Sequence, residues 1–122
     1  MGQYYLVANL DKEEFLNPNH FGGDRQLREI ALSSPGITAG LAALIAVGNG
    51  KGRGDICSGS PLIGSWAGDR IAIIGDYSDS DEVLGVTYQT IMDSWTDISR
   101  EAIAAICQDE EFEQAFQSRV LP

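Results

Sequence analysis

The stretch Tyr4-Tyr5-Leu6-Val7-Ala8-Asn9 decides how the fold begins, because it is aromatic and β-branched and contains no helix-breaking residue. It predicts a β-strand. Asp11-Lys12 supplies a turn, and Glu13–Leu16 predicts a shorter strand that pairs with the first as a hairpin. The next segment, Asn17–Gly23, is dense in turn-forming residues and is expected to be a loop.

Two longer segments supply the rest of the predicted core. Ile37–Val47 is apolar on all sides, which is typical of a buried central helix, and Gly48-Asn49-Gly50 ends it with residues that readily adopt positive φ. Residues 62–75 predict a second hairpin, with Ala67-Gly68-Asp69 as its turn and Arg70–Gly75 as a buried central strand.

Four shorter segments carry apolar residues at helical spacing. The first is a short helix capped by Asp24, with Leu27, Ile30 and Ala31 on one side, and the second is a helix over Thr87–Trp95. The third is capped by Ser99 and has a hydrophobic contact, or staple, between Ile98 and Ile103. The last is capped by Asp109 and turns Phe112, Ala115 and Phe116 toward the core. The sequence therefore predicts an α+β fold. We expect a small, mostly antiparallel sheet of two hairpins, packed on the central helix and the C-terminal helices.

Length and composition place the chain among ordinary globular domains. Its 122 residues, 43% of them hydrophobic, are enough for one core without a metal or disulfide, so residues 1–122 are expected to form one domain. Disordered, collagen-like and disulfide-scaffold classes are excluded. The apolar run at Ile37–Val47 is too short to span a membrane, for which about 18 residues are needed, so no membrane association is expected.

The net charge of −10 argues against direct nucleic-acid binding, which is driven by basic residues that neutralise phosphates. Residues 57–122 carry twelve acidic and three basic side chains, whereas residues 1–56 are nearly neutral. This acidic half is either a soluble surface or a face for a basic protein. The first residues lack the pattern of a signal peptide, so a cytoplasmic location and reduced Cys57 and Cys107 are expected.

The glycine-rich loop Gly48–Asp55 is the first candidate for chemistry. Its glycines allow backbone N–H groups to approach an anion, and Lys51 and Arg53 add positive charge. However, the loop follows a helix, and Gly52 stands where a phosphate-binding loop has Ser or Thr. Two interpretations remain open: a flexible connector, and a loop that closes over a polar or phosphorylated ligand.

A second group of polar and aromatic residues surrounds the predicted second hairpin: Trp66, Asp69, Arg70, Asp76 and Tyr77. An aromatic plate with a nearby Arg and carboxylate suits recognition of a base, a ribose or a peptide. In a hairpin over 62–75, however, Asp69 and Arg70 lie at the turn and Asp76 and Tyr77 at the far end. The alternative is a core Trp66 with an Asp69–Arg70 ion pair at the turn.

His20 is the only histidine, so any Ser-His-Asp or Cys-His chemistry would have to use it. The alternative is a histidine in a surface turn. No zinc-ligand spacing is present, since the two cysteines are 50 residues apart, and no cofactor is expected.

Several phrases together resemble a family of short uncharacterised proteins of bacteriophages and bacteria. They are Met1–Tyr5, Asn9–Pro18, the loop Gly48–Asp55, and Gly64–Ile71 with Gly75-Asp76-Tyr77. The resemblance covers most of residues 1–77 and implies a small intracellular accessory protein, without an established enzyme activity. By analogy, such proteins bind and neutralise a host defence protein or a nucleotide signal.

These observations give a leading hypothesis of a non-catalytic binding protein that sequesters a nucleotide-like or other polar ligand. The expected ligand-binding residues are Asn49, Lys51, Arg53, Asp55, Trp66, Asp69, Arg70, Asp76 and Tyr77. One alternative is an acidic inhibitor or nucleic-acid mimic that blocks a basic host protein. Another is a small hydrolase that uses His20 or paired carboxylates such as Asp69 and Asp76. We also expect a homo-oligomer, with Tyr4–Val7 as a sheet edge free to pair.

Overall fold

The first strand lies inside a mixed four-stranded sheet, flanked by strands on both sides. The computed structural model describes residues 2–23, 25–32, 36–77 and 84–117. Its elements are β1 (Tyr5–Asn9), β2 (Glu14–Leu16), a 3-10 helix (Pro18–Phe21), α1 (Leu27–Leu32), α2 (Ile37–Ile45), β3 (Ile71–Gly75), α3 (Tyr88–Ser94), β4 (Thr96–Asp97), α4 (Ser99–Ile106) and α5 (Glu110–Gln117). The strand order is β3-β1-β2-β4, and the chain is an α+β domain.

The first predicted hairpin is confirmed. β1 and β2 are antiparallel, with Val7 opposite Leu16, and the buried Asn9 organises the turn between them. Its side-chain oxygen accepts the N–H groups of Asp11 and Lys12 at 2.9 and 2.8 Å. An Asn side chain that imitates a backbone carbonyl in this way is a common reason for a tight turn.

The second predicted hairpin is wrong, because residues 61–68 form turns and β3 pairs antiparallel with β1. The N–H groups of Gly64 and Trp66 donate to the carbonyls of Ala43 and Leu44, each at 2.9 Å. These carbonyls stand at the end of α2, where they lack partners within the helix. The segment therefore docks on the helix end and cannot also form a strand.

The position of the strands corrects two further predictions. β3 is an edge strand of the sheet, although Arg70–Gly75 was expected to be central. β1 is an inner strand, so Tyr4–Val7 does not supply the free edge expected for oligomer formation. Both differences have the same reason. Because residues 61–68 dock on the end of α2, they do not form a strand beside β3, and β3 pairs with β1 alone.

The sheet separates two apolar clusters. Val7 and Leu16 face a larger cluster with residues of α2, α4 and α5, whereas Leu6, Ala8 and Ile74 face a smaller one that includes Ile91 of α3. The prediction that Ile37–Val47 is surrounded on all sides is wrong. The helix ends at Ile45, which is exposed, as is Val47 beyond it, so that only one side of α2 is buried.

The helices that follow β3 in the chain form where their periodicity predicts them, with one difference in capping. Thr87 caps α3, and Asp109 accepts the N–H of Glu111 at the start of α5. Ser99 does not cap α4 with its side chain; the Asp97 side chain accepts the Ser99 N–H instead. The predicted cap Asp24 lies outside the described residues. None of the described helices is long and apolar enough to cross a membrane.

Candidate functional site

The glycine-rich loop binds its own carboxylate. One oxygen of Asp55 accepts the N–H groups of Gly50, Lys51 and Gly52 at 2.9, 3.0 and 2.9 Å. Donation from Gly52 and Gly50 holds the pKa of Asp55 below its usual value. The loop is thus ordered by residues of this chain, and its anion cradle is filled.

Asn49 and the basic residues of the same loop have different surroundings. The Asn49 side chain bridges the loop ends, accepting the Ile56 N–H at 2.9 Å and donating to the Ile56 carbonyl at 2.8 Å. Lys51 and Arg53 are exposed. Of the four residues predicted here as a ligand site, Asn49 and Asp55 close the loop, and Lys51 and Arg53 remain accessible.

Trp66 is part of the core. Its side chain is fully buried, and its indole N–H donates to a carboxylate oxygen of Glu14 at 2.7 Å. An indole in this position stabilises the packing of the turn segment on the sheet, and offers no free ring face on which a base could stack. The interpretation of Trp66 as a core aromatic is the one that the geometry supports.

Asp69 and Arg70 do not pair with each other, contrary to the expected turn ion pair. Asp69 accepts a hydrogen bond from Asn9 at 2.9 Å and pairs with Lys12, while the Arg70 Nε donates to Asp11 at 2.9 Å. We call Asn9, Asp11, Lys12, Asp69 and Arg70 the paired-charge turn. Hydrogen bonds from Asn9 and then Lys12 lower the pKa of Asp69, and those from the Arg70 backbone and side chain lower that of Asp11.

Asp76 and Tyr77 lie at the opposite end of β3 from Asp69 and Arg70. Asp76 accepts the backbone N–H of Tyr4 at 3.0 Å, and the Tyr77 side chain is exposed. The length of β3 therefore separates the two halves of the predicted group, as the sequence indicated it would. The nine predicted ligand-binding residues are divided among the loop, the core and the two ends of a strand.

A cleft lined by polar and charged residues lies beside His20. Its volume is about 270 Å³, and it is lined by His20, Asp97, Arg100 and Glu101. His20 Nε2 lies 3.3 Å from an Asp97 carboxylate oxygen, and both side chains are about one-third exposed. The cleft thus combines an imidazole, a guanidinium and two carboxylates at the surface.

The 3-10 helix that carries His20 is held firmly from both sides. Asn17 caps it by accepting the Asn19 N–H at 3.0 Å, and Pro18 and Phe21 are buried. The Phe21 ring packs against Gly40 of α2, where an added Cβ would come within 2.9 Å of the ring. A larger residue at position 40 would displace this ring, so the glycine allows the close approach that fixes His20.

The other wall of the cleft is the start of α4. Asp97 uses one carboxylate oxygen to accept the Ser99 N–H at 2.9 Å and the other to pair with His20. The buried Ser99 hydroxyl accepts the Asn17 N–H at 2.7 Å. Two contacts therefore join the His20 segment to the end of β4 and the start of α4, which gives the pair a defined geometry.

Arg100 and Glu101 have unused hydrogen-bonding capacity. Within the described residues, neither side chain has an ion pair or hydrogen bond, and both residues are exposed. The sequence signal for this site was weak, since His20 stands in a turn and Asp97 lies far along the chain. The only available indication was that His20 is the sole histidine.

Comparisons of the chain with protein-family models, with curated proteins and with solved structures return no match. Among the described residues, no group of three His, Cys, Asp or Glu side chains is placed to hold a metal ion. Cys57 is exposed and Cys107 half-buried, and both are free thiols; burial raises the pKa of Cys107.

Proposed function

We propose that this protein is a non-catalytic binding protein that takes a small, polar, anionic ligand in the His20 cleft. The observation that carries the proposal is the state of Arg100, which lines the cleft without an ion pair or hydrogen bond to any described residue. A guanidinium in a concave site beside an ordered His–Asp pair is suited to binding a phosphate or carboxylate.

The remaining groups of the cleft indicate what else the ligand carries. The carboxylates of Asp97 and Glu101 accept hydrogen bonds, so they suit hydroxyl or amino groups of the ligand. The volume of about 270 Å³ is slightly below that of typical small-molecule sites, which are roughly 300–1,000 Å³, so the ligand is expected to be small. A nucleotide-like or similarly small phosphorylated metabolite has this combination of an anion with hydrogen-bond donors.

Binding without turnover is favoured because the described residues that line the cleft include no hydroxyl or thiol nucleophile for His20. Within the described part of the chain, no hydroxyl or thiol is hydrogen-bonded to the His20 ring, and the Ser99 hydroxyl is buried and already accepts the Asn17 N–H. Nucleophilic catalysis needs such a group within hydrogen-bond reach of its base. The resemblance to phage and bacterial accessory proteins supplies the biological setting: sequestration of a signal in the cytoplasm of a host.

The test is a thermal-shift panel of nucleotides and phosphorylated metabolites, followed by calorimetry on each ligand that stabilises the protein. We expect Arg100→Gln to weaken binding by about tenfold or more, since it removes a charge-assisted hydrogen bond. Arg28→Gln is the matched control, because Arg28 is exposed on α1 and does not line the cleft. Equal affinity of Arg100→Gln and wild type, or turnover of the ligand, contradicts the proposal.

A second candidate is an acidic surface that binds a basic protein. Glu110, Glu111 and Glu113 are exposed on α5, whose sequence contains no basic residue. We expect capture of a basic protein from bacterial lysate to decrease steeply between 50 mM and 500 mM salt and to be lost in the triple Glu→Gln variant. A complex that survives both changes argues against this candidate.

A further inference from the structure

The glycine-rich loop contains the one asparagine of the sequence that is followed by glycine, at Asn49-Gly50. The other three asparagines precede Leu10, Pro18 and His20. A backbone nitrogen can attack the side-chain amide of the asparagine before it, and glycine hinders this attack least because it has no Cβ. Asn49 is therefore the position of this chain at which spontaneous deamidation is chemically easiest.

The reaction needs only these two residues and water from the solvent. The Gly50 nitrogen, after losing its proton, bonds to the side-chain carbonyl carbon of Asn49, and the bond from that carbon to the side-chain NH2 group breaks. Ammonia leaves, and a five-membered succinimide ring remains. Water then opens the ring at either carbonyl, which leaves aspartate or isoaspartate at position 49. The neutral amide is thus replaced by a carboxylate, which is charged at neutral pH.

The folded loop restrains the nucleophile of this reaction. The Gly50 N–H donates to Asp55 Oδ2 at 2.9 Å, and the same oxygen accepts the N–H groups of Lys51 and Gly52. The Gly50 nitrogen must give up this hydrogen bond and its proton before it can attack. The carboxylate stabilises the N–H form and opposes a negative charge on the nitrogen. Asp55 therefore suppresses the first step.

The loop also restrains the Asn49 side chain that would be attacked. Its oxygen accepts the Ile56 N–H at 2.9 Å, and its NH2 group donates to the Ile56 carbonyl at 2.8 Å. Rotation of the amide toward the Gly50 nitrogen breaks both hydrogen bonds. Because Gly50 and Asp55 are exposed, water has access to the site once the loop opens. Opening of the loop is thus the step that deamidation requires.

We propose that Asn49 is a deamidation site, that the closed loop protects it, and that Asp55 controls the rate. The product prevents the loop from closing again. A carboxylate at position 49 has no hydrogen to donate to the Ile56 carbonyl, and it adds a second negative charge to the loop that holds Asp55. Deamidation therefore converts a transient opening of the loop into a permanent one.

The first experiment follows deamidation at position 49 of the full chain by peptide mapping and mass spectrometry, in mildly alkaline buffer. The samples are folded wild type, wild type unfolded in urea, and Asp55→Ala. We expect the unfolded chain and Asp55→Ala to react about tenfold faster than folded wild type or more, because both lose the hydrogen bonds to the charged carboxylate. Asp93→Ala is the matched control, since it removes an exposed carboxylate that accepts from Gln89 on α3, and it should react at the wild-type rate.

Limited digestion with trypsin tests whether the product leaves the loop open. Lys51 and Arg53, after which trypsin cleaves, are both exposed in the loop, and proteases cleave open loops preferentially. We expect Asn49→Asp to be cleaved there about tenfold faster than wild type, because it loses hydrogen bonds that close the loop. Asn19→Asp adds the same charge at an exposed position of the 3-10 helix and should be cleaved at the wild-type rate. Circular dichroism checks that each variant retains its fold.

Three results overturn the proposal. If Asn49 is unmodified even in the unfolded chain, it is not a deamidation site. If folded wild type reacts as fast as the unfolded chain or as Asp55→Ala, neither the loop nor Asp55 protects it. If Asn49→Asp is cleaved no faster than wild type, the product does not open the loop.

Discussion

The paired-charge turn and the His20 cleft contain similar residue types but differ in how their hydrogen bonds are used. In the turn, Asp69 is engaged by Asn9 and Lys12, and Arg70 by Asp11. In the cleft, the His20–Asp97 pair adjoins Arg100, whose guanidinium has no partner among the described residues. The polar side chains of the turn stabilise the fold through partners within the chain. The Arg100 guanidinium, which no described residue engages, is instead available for a ligand.

The largest effect is expected for Trp66, which the sequence placed among candidate ligand contacts. Trp66→Ala should lower the free energy of unfolding by about 3–5 kcal/mol, as large-to-small changes of buried aromatics do. Tyr77→Ala is the control, since Tyr77 is 60% exposed and should change stability far less. Urea denaturation measures both. A Trp66→Ala protein of wild-type stability that has lost ligand binding would instead place the indole in the binding site.

The next effect concerns Asn9, the residue that organises the paired-charge turn. Asn9→Ala should cost about 2–3 kcal/mol, because it leaves the N–H groups of Asp11 and Lys12 without an acceptor and removes one donor to the Asp69 carboxylate. Asn19→Ala, at an exposed position on the 3-10 helix, should cost less than about 0.5 kcal/mol. Equal losses for the two variants would show that the turn is not held by Asn9.

A smaller and local effect is expected on acidification of the glycine-rich loop. The backbone N–H groups around Asp55 lower its pKa in the folded state, so its support of the loop is complete above the ordinary value of 3.8. This support is lost as pH falls through the lower folded-state pKa. The amide chemical shifts of Gly50, Lys51 and Gly52 should therefore titrate with a midpoint below 3.8, and Asp55→Asn should abolish the transition. A midpoint above 3.8 would contradict the observed hydrogen bonds.

The smallest change in stability is expected in the cleft itself. Arg100→Gln should alter the free energy of unfolding by no more than about 0.5 kcal/mol, because Arg100 is exposed and no described residue pairs with it. Combined with the expected loss of ligand affinity, this result separates binding from folding. A loss of more than about 1 kcal/mol in the free energy of unfolding would show that Arg100 stabilises the fold.

Local patterns were sufficient to predict much of this fold. The first hairpin and the helices α3, α4 and α5 follow from periodicity and caps within a dozen residues. The second hairpin failed because the N–H groups of Gly64 and Trp66 are used by the end of α2, a distant segment. The sequence of residues 62–75 alone contains no information about that competition.

The candidate site was harder to predict than the fold, for a related reason. The glycine-rich loop has the residue types that predict an anion site, but Asp55 satisfies the same N–H groups that an anion would need. His20 and Asp97 become a pair only through the parallel alignment of β2 with β4. The composition of the glycine-rich loop does not show that Asp55 occupies its N–H groups. The residues around His20 and around Asp97 likewise do not show that these two side chains pair.

The bond between the Asn17 N–H and the Ser99 hydroxyl also has a consequence for the order of folding. It joins residues 82 positions apart, whereas the β1–β2 hairpin closes over only a few residues. Long loops close later than short ones, because more chain entropy must be lost before the contact forms. We therefore expect the hairpin to form early and the His20 cleft to be among the last features to assemble, so that a nascent chain cannot present the cleft until its C-terminal helices have emerged.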